Sequence, residues 1–245
     1  MKGDHMKAAI QLFTVRDDYK NPSELKKVLR KIKEMGYEGV EFAGFGGLSA
    51  DEMKAALDEL SLVPVSAHFG SDDISIKADE NFSYLQKIGC HFAILAYADT
   101  STVENTEKVC SLLKDAAKKA AEYGITLGYH NHYHEFRTLS DGSMPIEHIS
   151  KASHLEPDTY WVHYSGNDPM KFLNDNEDNI ILVHLKDGDG SGHPCALGEG
   201  ENTIPEIVRT AEKIGMEWII VENDDPVPNG IEDAERSIKY LKGCM

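Results

Sequence analysis

Eight short apolar runs, separated by stretches of helical periodicity, are what most narrows the folds open to this chain. The runs are Ala8–Phe13, Gly39–Phe42, Val63–Ala67, Phe92–Tyr97, Ile125–Tyr129, Thr159–Val162, Ile180–Leu185 and Trp218–Val221. Pro22-Ser23-Glu24 opens a helix whose buried stripe is Leu25, Val28, Leu29 and Ile32, and Gly36 closes it. Ser49-Ala50-Asp51-Glu52 has the spacing of a capping box and leads into Met53, Ala56, Leu57 and Leu60. Val103–Tyr123 is the longest helical pattern, with Gly124 as its stop. Ile204–Ile214 and Ile231–Leu241 follow the same style, while Pro169–Leu173 leaves room for a short helix. Strands alternating with helices build βαβ units on a parallel sheet. Eight such units in 245 residues predict an α/β chain closed into a single (β/α)8 barrel. An open doubly wound sheet is the runner-up. It would favour a G-x-G-x-x-G turn after the first strand, where Gln11-Leu12-Phe13-Thr14-Val15-Arg16 stands instead. No Pro/Ser-rich linker divides the chain, so residues 7–245 read as one domain, and Met1–Met6 reads as a cloning leader.

Charge excludes some partners. Lys plus Arg number 25 against 42 Asp plus Glu, a formal net charge of −17. Such a chain lacks the basic patches that neutralise nucleic-acid phosphates, and an anionic membrane surface would repel it. No apolar run reaches the ~18 residues of a membrane span, and no basic-then-apolar leader precedes the first strand. Cys90, Cys110, Cys195 and Cys244 are scattered without a Cys-x-x-Cys pair, which fits a reducing, cytoplasmic setting.

In a parallel barrel the chemistry gathers at the carboxyl ends of the strands. The third run ends at His68, and the fifth in Tyr129-His130-Asn131-His132, followed by His134 and Glu135. The sixth has Asp158 at its leading edge and His163 at its trailing edge, and either could face the mouth. The seventh reads Val183-His184-Leu185-Lys186-Asp187, and the eighth ends in Val221-Glu222-Asn223-Asp224-Asp225. Imidazoles and carboxylates converging on one mouth are the ligand chemistry of a divalent metal.

Taken together, several segments resemble the xylose isomerase-like TIM barrels, the superfamily of sugar isomerases, sugar epimerases and endonuclease IV. They are Ile10–Asp17, Gly36–Phe42, Ser66-Ala67-His68, Tyr129–His132, Asp158–Trp161, Val183–Asp187, Gly198-Glu199-Gly200 and Val221–Asp224. The resemblance implies one divalent metal, Mn2+ first with Zn2+ or Mg2+ behind, held by side chains from strands five to eight. Three of the four carry over as Asp158, His184 and Glu222; the first matches His130, where many epimerases have Glu. His132, two residues on, could substitute for His130 or orient a ligand. The usual epimerase works with two glutamates as an acid/base pair, and His130 breaks that symmetry. Tyr129-His130-Asn131-His132 also resembles the Tyr-His-His-His string of inosose dehydratases.

The resemblance thus implies a metal-dependent sugar isomerase or epimerase acting through a metal-stabilised enediolate. The alternative is a dehydratase on a keto-sugar, keto-glycoside or inosose at the same site. Glu222 is the first candidate base and Glu135 the second acid/base group. His68 would bind a hydroxyl or move a proton, and Lys186 would neutralise an oxyanion or pair with Asp187. Glu41 would hold a ligand or pair with Arg16. His132, Phe13 and Trp161, with Phe69 and Tyr97, would line the substrate's seat. The expected partner is a small carbohydrate, with no nucleic acid or membrane, in a possible homodimer. An endonuclease and a noncatalytic sugar-binding barrel are the remaining classes; the acidic charge opposes the first, and the full ligand set the second.

Overall fold

Alternation along each strand sorts its side chains between two cores. The strands are β1 (Lys7–Gln11), β2 (Gly39–Phe42), β3 (Val63–Phe69), β4 (Phe92–Leu95), β5 (Thr126–His130), β6 (His154–Glu156), β7 (Val183–Leu185) and β8 (Trp218–Val221), in a computed structural model that describes residues 6–245. The leader assigned to Met1–Met6 therefore lies, apart from Met6, outside the described residues. The eight strands pair in parallel in the order β6-β5-β4-β3-β2-β1-β8-β7. Parallel bridges Leu155↔Ile180 and Asp158↔His184 join the two ends, so the sheet comes round into the expected barrel.

One set of side chains, including Ala9, Val65, Ile94, Leu182, Trp218 and Ile220, fills the barrel interior. The other, including Ile10, Leu127, Tyr129, Val183, Leu185, Ile219 and Val221, packs with helix residues such as Leu25, Leu29, Leu113 and Ile238. The inner set is crowded. A Cβ on Gly128 would come 2.9 Å from methyl groups of both Ile94 and Ile181, so glycine there makes room for the apolar floor.

Helix boundaries follow their caps. Asn21 accepts from Glu24 N to start Pro22–Met35, and Gly36, at φ 97°, ends it in the left-handed region. Ser49 and Glu52 form the expected capping box ahead of Ala50–Leu60. No helix among the described residues is long and apolar enough to cross a membrane, and the four cysteines are free thiols.

The sixth strand is a correction. Thr159–Val162 is not a strand but lies in the helix Thr159–Tyr164, whose N-cap is Asp158. Asp158 Oδ1 accepts from Tyr160 N at 2.9 Å and Trp161 N at 3.1 Å, which bends the chain into the helix. The aromatic and β-branched content of the run reflects burial of that helix rather than pleated pairing. β6 comes earlier and is three residues long, pairing Tyr129 with Leu155 and His130 with Glu156.

Beyond β7 the chain wraps around Asp187. This fully buried carboxylate accepts from four backbone N–H groups: Gly188 at 2.9 Å, Gly198 at 2.9 Å, Asn202 at 3.0 Å and Gly200 at 3.2 Å. A Cβ on Gly200 would sit 2.3 Å from Asp187 Oδ1, which accounts for the glycine in Gly198-Glu199-Gly200. Lys186 therefore does not pair with Asp187; the two side chains leave the strand end in different directions and find different partners. Replacing Asp187 by Asn removes the charge from these bonds and should cost about 2 kcal/mol. Urea unfolding of the D187N variant checks this, and an unchanged midpoint would contradict the cage.

Candidate metal centre

Two residues above the apolar floor the inward positions turn polar. Ile220 is followed by Glu222, Leu182 by His184 and then Lys186, Gly128 by His130, and Gly39 by Glu41. β3 adds His68, and the end of β6 adds Glu156 and then Asp158. Glu41, Glu156, Asp158, His184 and Lys186 are fully buried, and His130 and Glu222 nearly so.

These groups form two tiers. In the upper tier, one ligand atom each from His130, Asp158, His184 and Glu222 lie within 4.8 Å of one another. Asp158 divides its oxygens: Oδ1 caps the following helix, while Oδ2 is buried and lies 2.9 Å from the Lys186 ammonium. The lower tier steers the imidazoles. His184 Nε2 lies 2.5 Å from Glu41 Oε1 and 3.2 Å from Glu156 Oε2, and His130 Nδ1 lies 3.3 Å from Glu156 Oε2. Glu41 is itself held by Gln11 Nε2 at 2.7 Å and Ser66 Oγ at 2.5 Å. The Glu41 carboxylate behind His184 fixes that ring and raises its basicity toward a cation in front. With Nε2–H given to Glu41, His184 Nδ1 faces Glu222 Oε2 at 3.1 Å, where a lone pair and a carboxylate need a proton or a cation between them. The mixed His and carboxylate donors, with Asp158 Oδ2 turned away from the helix that Oδ1 caps, fit a divalent transition metal.

The protonation states diverge across the tiers. Burial, and then the charge of Glu41, pushes Glu156 up to about 8. Burial also opposes ionisation of Glu41, but His68 and His184 outweigh it and hold Glu41 at about 2. His184 is raised well above its ordinary value, since Glu156 and Glu41 overcome the cost of burial. His130 is held well below its ordinary value by burial and by His184 and His68. Burial and then Lys186 take His132 down to about 3. Burial of Glu222 is outweighed by Lys186 and His184, which keep it ionised.

Above the tiers opens a cavity of about 530 Å3 lined by Phe13, Phe69, Tyr97, His68, His130, His132, Glu222 and Asp224, among others. Phe13, His132 and His68 thus line this pocket. His68 Nε2 is tied to Glu156 at 2.7 Å and Glu41 at 3.1 Å. Trp161 stands behind the pocket wall, its ring 6.1 Å from that of His132 and 5.5 Å from Lys186 Nζ. Glu135 is not brought into the pocket: it is fully buried, accepting from Tyr129 Oη at 2.6 Å and His132 N at 2.9 Å, so it shapes the turn that carries His132. Of the two ends of the expected sixth run, Asp158 faces the site and His163 is exposed on the helix. Glu41 bonds His184 rather than Arg16, whose guanidinium donates to Phe13 O and Asp224 O. Glu156 has no part in the sequence reading. Its signal is the Glu-Pro-Asp string at 156–158, which sets two carboxylates at one strand end once the strand is placed correctly.

Loss of His184 should abolish retention of a divalent ion. Glu41→Gln, which leaves all four upper groups in place, should weaken it about 10–100-fold. Metal content after dialysis against graded chelator measures both; equal retention by E41Q and the parent chain would remove the lower tier from metal binding.

Comparison with known proteins agrees with the barrel fold. The family model for the xylose isomerase-like TIM barrel matches residues 29–244. An inosose dehydratase of Bacillus velezensis is 27% identical, the alignment covering 89% of this chain and 88% of that protein. A sugar phosphate isomerase/epimerase from Parabacteroides distasonis superimposes with a TM-score of 0.85 at 22% identity, covering 96% of this chain and 98% of that one. The IolI protein with a bound zinc atom superimposes with a TM-score of 0.79 at 14% identity, covering 98% of each chain. With a family match over most of its length, a barrel of the same build and a polar mouth on its strand ends, the chain belongs to the xylose isomerase-like TIM barrel family.

Proposed function

We propose that this protein is a metal-dependent dehydratase that removes water from an inosose or a related keto-polyol. The sequence reading puts a sugar isomerase or epimerase first and the lyase second; the pocket wall and the similarity to proteins named inosose dehydratase support the lyase better. The observation that carries the reading is the asymmetry of the pocket wall: of its two carboxylates only Glu222 belongs to the upper tier, Asp224 being held by Lys186 at 2.6 Å, and the imidazoles His68, His130 and His132 stand around them. Exchange of a proton between two faces of a carbon is served by two matched acceptors. Elimination needs one acceptor and a different donor. Similarity to proteins named inosose dehydratase over most of the chain supports the same choice.

His130, Asp158, His184 and Glu222 would hold the divalent ion, which as a Lewis acid would draw electrons from the substrate carbonyl. Glu222, ionised beside Lys186, accepts the proton from the carbon next to the carbonyl. His68, whose basicity Glu41 and Glu156 raise against burial, donates a proton to the β-hydroxyl. The C–H and C–O bonds break, a C=C bond forms, and water leaves. His132 contacts a substrate hydroxyl, and the rings of Phe13, Phe69 and Tyr97 cover C–H surfaces of the polyol.

Incubating the manganese- or zinc-loaded protein with an inosose should yield a product lighter by one water. Glu222→Gln and His68→Asn should each lower kcat by about 10²–10⁴-fold. Substrate that takes up deuterium from D2O without losing water would return the protein to the isomerases and epimerases.

A further inference from the structure

Lys186 is a fully buried lysine inside the barrel mouth. Its ammonium lies 2.9 Å from Asp158 Oδ2, 2.9 Å from Glu222 Oε2 and 2.6 Å from Asp224 Oδ2. The first two oxygens belong to the upper tier. Asp158 has no other oxygen to offer an ion, because Oδ1 is committed to the helix N-terminus. The third, Asp224, stands outside the ligand set, on the turn after β8, with 31% of its side chain exposed at the pocket.

We propose that Lys186 is the resident counter-cation of the metal seat: it shares Asp158 and Glu222 with the ion, and Asp224 is the partner it keeps when the ion enters. This rests on the metal reading above. Two like-charged carboxylates buried side by side repel unless a cation lies between them. Lys186 supplies that cation before metal arrives, which keeps the seat assembled. A divalent ion then brings three carboxylates and one ammonium to neutrality, provided the ammonium moves toward Asp224. Lys186 is thus a positioning residue that sets how tightly the seat holds metal. Asp224 acts through Lys186 in the opposite sense.

Removal of the ammonium should leave the carboxylates to the ion alone. Lys186→Met should bind Zn2+ or Mn2+ at least about tenfold tighter in competition with a fluorescent chelator. The metal-free variant should melt lower than the parent, and metal should raise its Tm by more. Lys186→Arg should restore an affinity close to that of the parent. Asp224→Asn, on the half-open rim where folding is not at risk, should bind the ion more weakly, because the ammonium is left with only Asp158 and Glu222. If the parent binds metal while K186M and D224N bind it with unchanged affinity, or K186M binds it less tightly, the counter-cation role is wrong and the metal reading stands. If the parent binds no divalent ion, the metal reading itself fails.

Discussion

Buried negative charge is the constraint around which this barrel mouth is organised. Glu41, Glu156, Asp158 and Glu222 sit at the ends of β2, β6 and β8, no two of these strands adjacent in the sheet, with 5% exposure at most. Left alone, such a group would either take up protons or open the strand ends to water. The chain solves this with basic groups on alternate positions. His68, His130, His184 and Lys186 stand between the carboxylates, and proton sharing settles the remainder: Glu41 stays ionised, whereas Glu156 moves up to about 8. A polar layer this dense is possible because the floor beneath it is dry, built from Ala9, Val65, Ile94, Leu182 and Ile220.

Much of this was legible from the sequence because periodicity and position in the strand carry it. Seven of the eight expected runs overlap barrel strands, and the residues ending runs three, five, seven and eight converge. The exception shows where pattern fails. Thr159–Val162 looks like a strand by composition, yet the decisive residue is Asp158 just before it, whose carboxylate binds two backbone N–H groups and starts a helix. The true strand, His154-Leu155-Glu156, has one apolar residue in three, because its inward end belongs to the polar tier. Apolar patterning is weakest where a strand's job is chemical. For that reason Glu156 stayed hidden and Glu41 was left with two alternatives.

Distances in three dimensions also separate roles that spacing merges. His130 and His132 fall on the same side of an extended chain, but β5 stops at His130, and the turn beyond it carries His132 to the pocket wall. Glu135, five residues past the strand, is drawn back to Tyr129 and to the backbone of His132. Lys186 and Asp187 are neighbours in sequence, yet one closes the charge balance of the barrel interior and the other gathers the loop through Gly198 and Gly200.

The divided carboxylate of Asp158 has a consequence for how such a barrel can diversify. One oxygen is spent on beginning a helix, and the other meets the Lys186 ammonium in the barrel interior. Loop length in this family of folds is a usual currency of change, since rims can lengthen without disturbing the staves. At this corner that freedom is absent: a single inserted residue between Pro157 and Thr159 would part the start of the helix from the buried charge cluster that Asp158 joins. New specificity is therefore easier to gain at the turns following β1, β4 and β8, which bring Phe13, Tyr97 and Asp224 to the opening and leave the corner unchanged.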